Sequence, residues 1–275
     1  MGMCRWIFVV MILFAGFSGR AQEAKVARKF YVIWGWNRAS YTNSDIRFHG
    51  NSYDFTLSRA VAHDRQTPIA FDPYLSPGRI TIPQTNFRIG YYLNDHWSIT
   101  AGVDHMKYVM DQDQTVNIDG YIQNSQTPYD GTYPHTPIKL TEDFLTFEHT
   151  DGLNYINIEI RRHDQLLHLN RPDISVNLIE GFGAGALLPK TNTQLLLNNR
   201  YDEFHLAGYG VSAMAGINLT FFKYFFLQSE VKGGYINMPD IRTTEFSSDR
   251  AKQHFFFDEW TMLFGVNFFV PGASH

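Results

Sequence analysis

Between Phe204 and Phe222 the chain alternates in period two. His205, Ala207, Tyr209, Val211, Ala213, Ala215, Ile217, Leu219 and Phe221 share one face. Phe204, Leu206, Gly208, Gly210, Ser212, Met214, Gly216, Asn218 and Thr220 share the other. Alternation of this length marks a β-strand, and one longer than the usual globular strand. The second face decides what kind of strand it is. A soluble sheet turns one face to water and charges it, yet this face carries no Lys, Arg, Asp or Glu. Small neutral residues suit a tight interior, and the apolar first face suits lipid. Strands that stand in a membrane alternate apolar outside and polar inside. Lipid cannot satisfy an open sheet edge, so such strands must close on themselves.

The pattern recurs. Phe256, Trp260, Met262, Phe264, Val266, Phe268 and Val270 share a face, with Asp258 as the exception, and Glu259, Thr261, Gly265 and Asn267 lie opposite with Leu263 and Phe269. Phe225, Leu227, Val231 and Tyr235 oppose Gln228, Glu230 and Lys232. Strands are expected at 30–40, 86–93, 97–110, 153–169, 174–190, 204–222, 224–242 and 252–270. Tight turns fall at 91–97, 170–173 and 222–224, and longer connections at 41–85, 111–152, 191–203 and 243–251. Short turns on one rim and long loops on the other are the asymmetry of membrane barrels, with the short turns periplasmic. The expected fold is all-β: an antiparallel up-and-down transmembrane β-barrel of eight strands with long extracellular loops. Tyr91, Trp97, Phe221, Phe225 and Phe268 cluster beside the short turns as a periplasmic aromatic girdle. Trp34, Trp36, Tyr108, Tyr235 and Trp260 are expected in an upper one.

The N-terminus reads as an export signal. Arg5 precedes the apolar run Trp6–Phe17, which is too short to span a bilayer, and Gly19-Arg20-Ala21 supplies a cleavage site. The expected division is a signal peptide at 1–21, a periplasmic segment at 22–29, a barrel at 30–270 and a tail at 271–275. Cleavage removes Arg5 and Arg20 and no acid, so the formal charge moves from −4 to −6. That balance gives no reason to expect nucleic acid. Cys4 is the only cysteine and lies inside the signal, so no disulfide or thiolate metal site is expected in the mature chain.

The architecture and the aromatic last strand, ending Phe264-Gly265-Val266-Asn267-Phe268-Phe269-Val270, resemble the small eight-stranded outer-membrane proteins of the OmpA, OmpX and lipid A deacylase type. The resemblance covers about residues 30–270, and the five residues after Val270 depart from it. It implies outer-membrane localisation, outer-membrane lipid as surroundings, and the barrel-assembly machinery as a partner during insertion. Deacylases of this type use a Ser-His-acid constellation on the lipid-facing wall. No His-x-Ser occurs here, and neither His105 nor His205 has a serine two residues away on its outward face.

An eight-stranded lumen is filled by side chains. Parity sends Arg88, Asp104, Glu159, Arg161, His163, Gln228, Glu230, Lys232 and Glu259 inward. Buried opposite charges must pair, so a salt-bridged plug is expected rather than an open channel. The oxygen-rich run Asp111, Asp113, Thr115, Asn117, Asp119 lacks the spacing of a calcium loop. Gly181, Gly183 and Gly185 lack the Gly-Lys-Ser/Thr of a phosphate loop and mark a tight wall. No cofactor is expected. Function is expected in loops 41–85 and 111–152, since long loops are commonly functional. Residues 45–57 read as a hairpin, and Tyr121, Tyr129 and Tyr133 are the surface candidates in the second loop. The leading expectation is a structural or surface-binding role toward an extracellular ligand. The alternatives are a lipid-modifying enzyme at the outer leaflet and a lateral conduit for small apolar molecules.

Overall fold

A computed structural model describes residues 29–76, 78–79, 83–169 and 173–269. The expected signal and its cleavage site, residues 22–28, the turn residues 170–172 and the chain from 270 onward lie outside the described residues. In chain order the first strands are β1 (Lys29–Tyr41), β2 (Ser44–His49), β3 (Tyr53–Ala60), β4 (Ala62–His63), β5 (Thr85–Tyr92), β6 (Trp97–Met110), β7 (Thr115–Ile122) and β8 (Gly131–Lys139). They are followed by β9 (Leu145–Leu169), β10 (Ile174–Leu187), β11 (Lys190–Leu195), β12 (Tyr201–Phe204), β13 (Gly208–Phe221), β14 (Phe225–Arg242) and β15 (Arg250–Phe269).

Eight of these close a ring in the order β1-β5-β6-β9-β10-β13-β14-β15, and β15 pairs back onto β1 from Lys29↔Phe269 to Tyr41↔Phe257. Every neighbouring pair is antiparallel. Starting at Ile156, cross-strand partners lead through Val103, Phe87, Trp34, Phe264, Leu227, Leu219 and Val176. The path returns to β9 at Leu167, eleven residues further along, with one bulge at Val176/Asn177 included. Such a stagger makes the strands of an eight-stranded barrel tilt by roughly 40°. Each side chain on that path is apolar, and each lies on the outward parity of its strand. The ring is therefore belted continuously by hydrocarbon.

Glycines let aromatic rings lie flat across the inner wall. A Cβ on Gly90 would stand 2.1 Å from the Tyr31 ring, and one on Gly265 would stand 2.1 Å from the Phe226 ring. Tyr31, Ile33, Phe226 and Leu263 form a small buried cluster at the short-turn end of the ring. Gly90→Val is therefore expected to displace Tyr31 and destabilise the barrel by about 1–3 kcal/mol, the usual cost of overpacking. A urea midpoint read by heat-modifiable gel mobility checks this, and an unchanged midpoint would contradict the packing argument. The turn between β13 and β14 is tight: Tyr224 N–H donates to Phe221 O at 3.1 Å, with Phe222 and Lys223 at φ 53° and 68°. Two residues at positive φ make the turn that matches strand twist in a hairpin.

The long connections are not open loops. Beyond the ring, β15 carries the same sheet on into β2-β3-β7-β8, while β11 pairs with the start of β9 and with β12. This cap shares one apolar core with the upper barrel, including Phe48, Phe55, Tyr108, Phe144, Phe147 and Phe255. The expected hairpin at 45–57 is the β2–β3 pair. Four expectations need correction. Tyr108 is fully buried in the cap core rather than in an upper girdle. The strand expected at 153–169 begins at Leu145, because its upper end pairs with β11 and β6 above the belt. The strand expected at 174–190 stops at Leu187, and β11 begins at Lys190. The strand expected at 204–222 breaks at 205–207, so Phe204 and Leu206 are exposed and Ala207 is buried, the reverse of their assigned faces. The cause is the partner: β10 ends at Leu187, Ala207 N–H closes that ladder on Leu187 O, and the chain above pairs with β11 instead.

Candidate functional site: the packed lumen and the cap

Parity on five strands turns one charged set into the ring. Arg88 comes from β5, Asp104 from β6, Glu159 and Arg161 from β9, Glu230 and Lys232 from β14, and Glu259 from β15. All seven are essentially inaccessible to solvent. Glu159 is the hub: its Oε2 meets Arg161 Nη2 at 2.5 Å and Arg88 Nε at 3.2 Å, and its Oε1 meets Lys232 Nζ at 2.6 Å. Lys232 also reaches Asp104 Oδ2 at 2.6 Å, Arg88 pairs with Asp104, and Arg161 Nη1 meets Glu230 Oε1 at 2.7 Å.

Amides extend the network in both directions. Asn86 Nδ2 donates to Asp104 Oδ1 at 2.6 Å and to Glu259 Oε1 at 3.0 Å, and Asn157 Nδ2 donates to Asp104 Oδ2 at 3.0 Å. Gln228 donates to Glu230 and accepts from Asn218 Nδ2 at 2.8 Å. His163 lies at the short-turn end, 2.8 Å from Ser98 Oγ, and Ser98 lies 2.8 Å from the Tyr31 hydroxyl. Reading charges alone misses Asn86, Asn157, Ser98 and Asn218. The same parity that selects Arg88 and Glu159 would have found the first two.

The Ser98–His163 contact bears on nucleophilic chemistry, which needs a hydroxyl within reach of a base and open to substrate. Ser98 is completely buried, and its second partner is a phenol rather than an oxyanion donor. On the outer wall His105 Nδ1 meets Asn154 Oδ1 at 2.9 Å and His205 Nε2 meets Asp240 Oδ2 at 3.0 Å, neither beside a serine. In the oxygen-rich run Asp111 pairs with His63, and Asp113 meets Lys139 Nζ at 2.6 Å.

The girdle residues gather where the register brings the short-turn ends together. Phe30 pairs with both Phe268 and Tyr91, Tyr91 pairs with Ile99, and Phe221 pairs with Phe225. Trp97 pairs with Arg162, whose guanidinium lies 6.0 Å over the indole ring. In the cap the three surface tyrosines differ. Tyr129 packs 4.8 Å from Phe144 and donates to Asp143 Oδ2 at 2.6 Å, and Tyr133 donates to Tyr129 O at 2.5 Å. These two tie one part of the cap to another. Tyr121 is exposed and borders an open groove of about 620 Å³ on the β7–β8 face, with Asp119, Gln123, Thr132, Tyr133 and Pro134. β8 is an edge strand, and its two prolines, Pro134 and Pro137, cannot donate ladder hydrogen bonds. The edge is thereby blunted against strand addition. Beneath it, His149 is fully buried, with Nδ1 2.9 Å from Thr191 Oγ1, and burial pulls its imidazole down to about 4 while neighbouring Gln253 opposes the shift in part.

No family model matches the chain, and no curated protein matches it. Solved structures similar to it include the outer-membrane protein OprG from Pseudomonas aeruginosa, which aligns over 89% of this chain and 97% of its own at 9% identity and a TM-score of 0.44. The outer-membrane protein AlkL, solved in DMPC bilayers, aligns over 94% and 100% at 9% identity and a TM-score of 0.39. Ail, the attachment invasion locus protein of Yersinia pestis, aligns over 88% and 100% at 8% identity and a TM-score of 0.32. The closed ring, the hydrocarbon belt and the polar interior define this chain as a small outer-membrane β-barrel protein.

Proposed function

We propose that this barrel does not conduct, and that it serves as a rigid stem presenting the cap, whose β7–β8 face binds carbohydrate at the cell surface. The observation that carries the reading is the shared core: the cap sheet continues β15 and packs on the residues that close the upper barrel. A conduit needs an open path, and this interior is occupied by ion pairs in the middle and by packed rings at both ends. A binding face needs order, and β7 and β8 are held by a seven-pair ladder. Tyr121 offers an aromatic plane to the apolar side of a sugar ring, and Asp119, Gln123 and Thr132 offer hydrogen bonds to its hydroxyls.

Two measurements test this. Purified protein in planar bilayers is expected to carry no steady ionic current, and stepwise conductance would overturn the stem reading. A glycan panel probed with the protein in nanodiscs is expected to show binding that Tyr121→Ala weakens at least tenfold. Binding that is unaffected by Tyr121→Ala would remove the β7–β8 face from the proposal.

A further inference from the structure

Residues 64–76, which follow β4, run down the outside of the barrel. β5 stops at Thr85, whereas β1 continues to Tyr41, so the upper edge of β1 has no ring strand beside it on that side. Lipid cannot satisfy such an edge. Gln84 and Asp64 do so instead: Gln84 O accepts the Asn37 N–H at 3.1 Å, and Asp64 Oδ2 accepts the Ala39 N–H at 2.9 Å. Arg38, beside Trp260 on the outward parity of the wall, donates to the Gln66 side chain and to Thr67 O. Asp64, Gln66 and Thr67 are thus bonded to β1, and Arg65 pairs with Glu148 of β9 at 2.7 Å.

A single helical turn, Phe71–Tyr74, sits directly on the belt: the Tyr74 ring lies 5.3 Å from Trp36, which lies 5.6 Å from Phe264. Tyr74 is fixed there by a 3.0 Å hydrogen bond to Thr67 O. Around it Ile69 is 79% exposed, Phe71 75% and Leu75 57%, among the most exposed large apolar side chains of the described residues. The only charge between Gln66 and Leu75 is Asp72, and Arg79 pairs with it at 2.8 Å. A loop standing in water would turn Ile69 and Phe71 inward. This one continues the lipid-facing surface outward from Trp36.

We propose that residues 64–76 form a lipid-seated flap, whose polar side closes the bare edge of β1 and whose Ile69, Phe71 and Leu75 insert among the acyl chains of the outer leaflet. The occupant is hydrocarbon, because the surface the flap extends is the membrane belt. The inference does not depend on what the cap binds.

The flap is tested with single cysteines, which are unique in the described barrel because the only native cysteine is Cys4. Ile69→Cys and Phe71→Cys are spin-labelled in dimyristoylphosphatidylcholine vesicles, with Phe182→Cys on the belt and Tyr121→Cys on the cap as references. Collision with oxygen is compared with collision with a water-soluble nickel chelate. Positions 69 and 71 are expected to match position 182, with an oxygen-to-nickel ratio at least threefold above that of position 121. Ratios matching position 121 would overturn the flap by placing it in water. Shielding from both reagents would overturn it by showing that protein, such as a second copy, covers the segment. An aqueous ratio at position 182 would overturn the membrane placement of the whole ring and the flap with it, whereas failure of the glycan panel would leave these ratios unchanged.

Discussion

Glu159→Gln is expected to be among the most damaging single substitutions in this barrel, costing about 3–5 kcal/mol, while Glu259→Gln should cost less than about 1 kcal/mol. Both carboxylates are buried in the same lumen, so the contrast isolates pairing from burial. Glu159 meets Arg161, Arg88 and Lys232 within 3.2 Å, and those cations come from three strands. Neutralising it leaves three positive charges to share Asp104 and Glu230, inside a wall that water cannot reach. Removing one partner of a buried pair leaves the other uncompensated, and that dominates the cost. Glu259 has no ion pair within 4.0 Å among the described residues. Its Oε1 accepts from Asn86 at 3.0 Å and its Oε2 has no hydrogen-bond partner. An amide keeps the acceptor and carries less charge into the interior. Urea titrations in phospholipid vesicles, followed by heat-modifiable mobility, measure both variants. Equal losses would sink the idea that Glu159 is the hub.

The same contrast shows what the sequence could and could not display. Lipid selects side chains for polarity alone, so the outward face of each ring strand is written in its alternation. That is why eight strands are recoverable from parity and turn spacing. The limits of a strand are set by its neighbour, and a neighbour leaves no local mark. Alternation passes through His205, Leu206 and Ala207 although β10 has already ended at Leu187. Tyr108 looks like an interface aromatic until Ser44, Gln253 and Phe255 are brought against it from distant strands. Parity directs a charge inward, but it cannot tell Glu159, in contact with three cations, from Glu259, which faces Lys232 across the ladder without an ion pair within 4.0 Å. The cap strands are short, and β8 is interrupted by Pro134 and Pro137, so they read as loop. The flap is harder still. Its apolar residues follow no period, because they are held by β1's unmet hydrogen bonds rather than by a ladder.

Acidification is expected to loosen the cap. His149 lies in the cap core, with the Tyr108 ring at 5.5 Å and the Phe147 ring at 5.0 Å. Burial lowers its imidazole from 6.5 to about 4, so the folded cap holds it neutral across the range in which an unfolded chain takes up a proton. The stability this supplies is complete above about pH 6.5, falls as the pH drops toward 4, and is gone below that, a loss of about 3 kcal/mol. Hydrogen exchange of the β2, β3 and β7 amides at pH 7, 5.5 and 4, corrected for intrinsic rates, reads the loss directly. His149→Gln removes the titrating group while keeping a polar neighbour for Thr191, and its cap protection should vary much less over the same interval. An identical pH dependence in the variant would assign the effect to other groups. The β7–β8 face inherits this dependence. β7 contributes Ile118 and Ile122 to the core and presents Tyr121 from the same strand. If that face binds a glycan, affinity should fall over the same pH interval in the native chain and fall less in His149→Gln, a result that ties recognition to the order of the core beneath it.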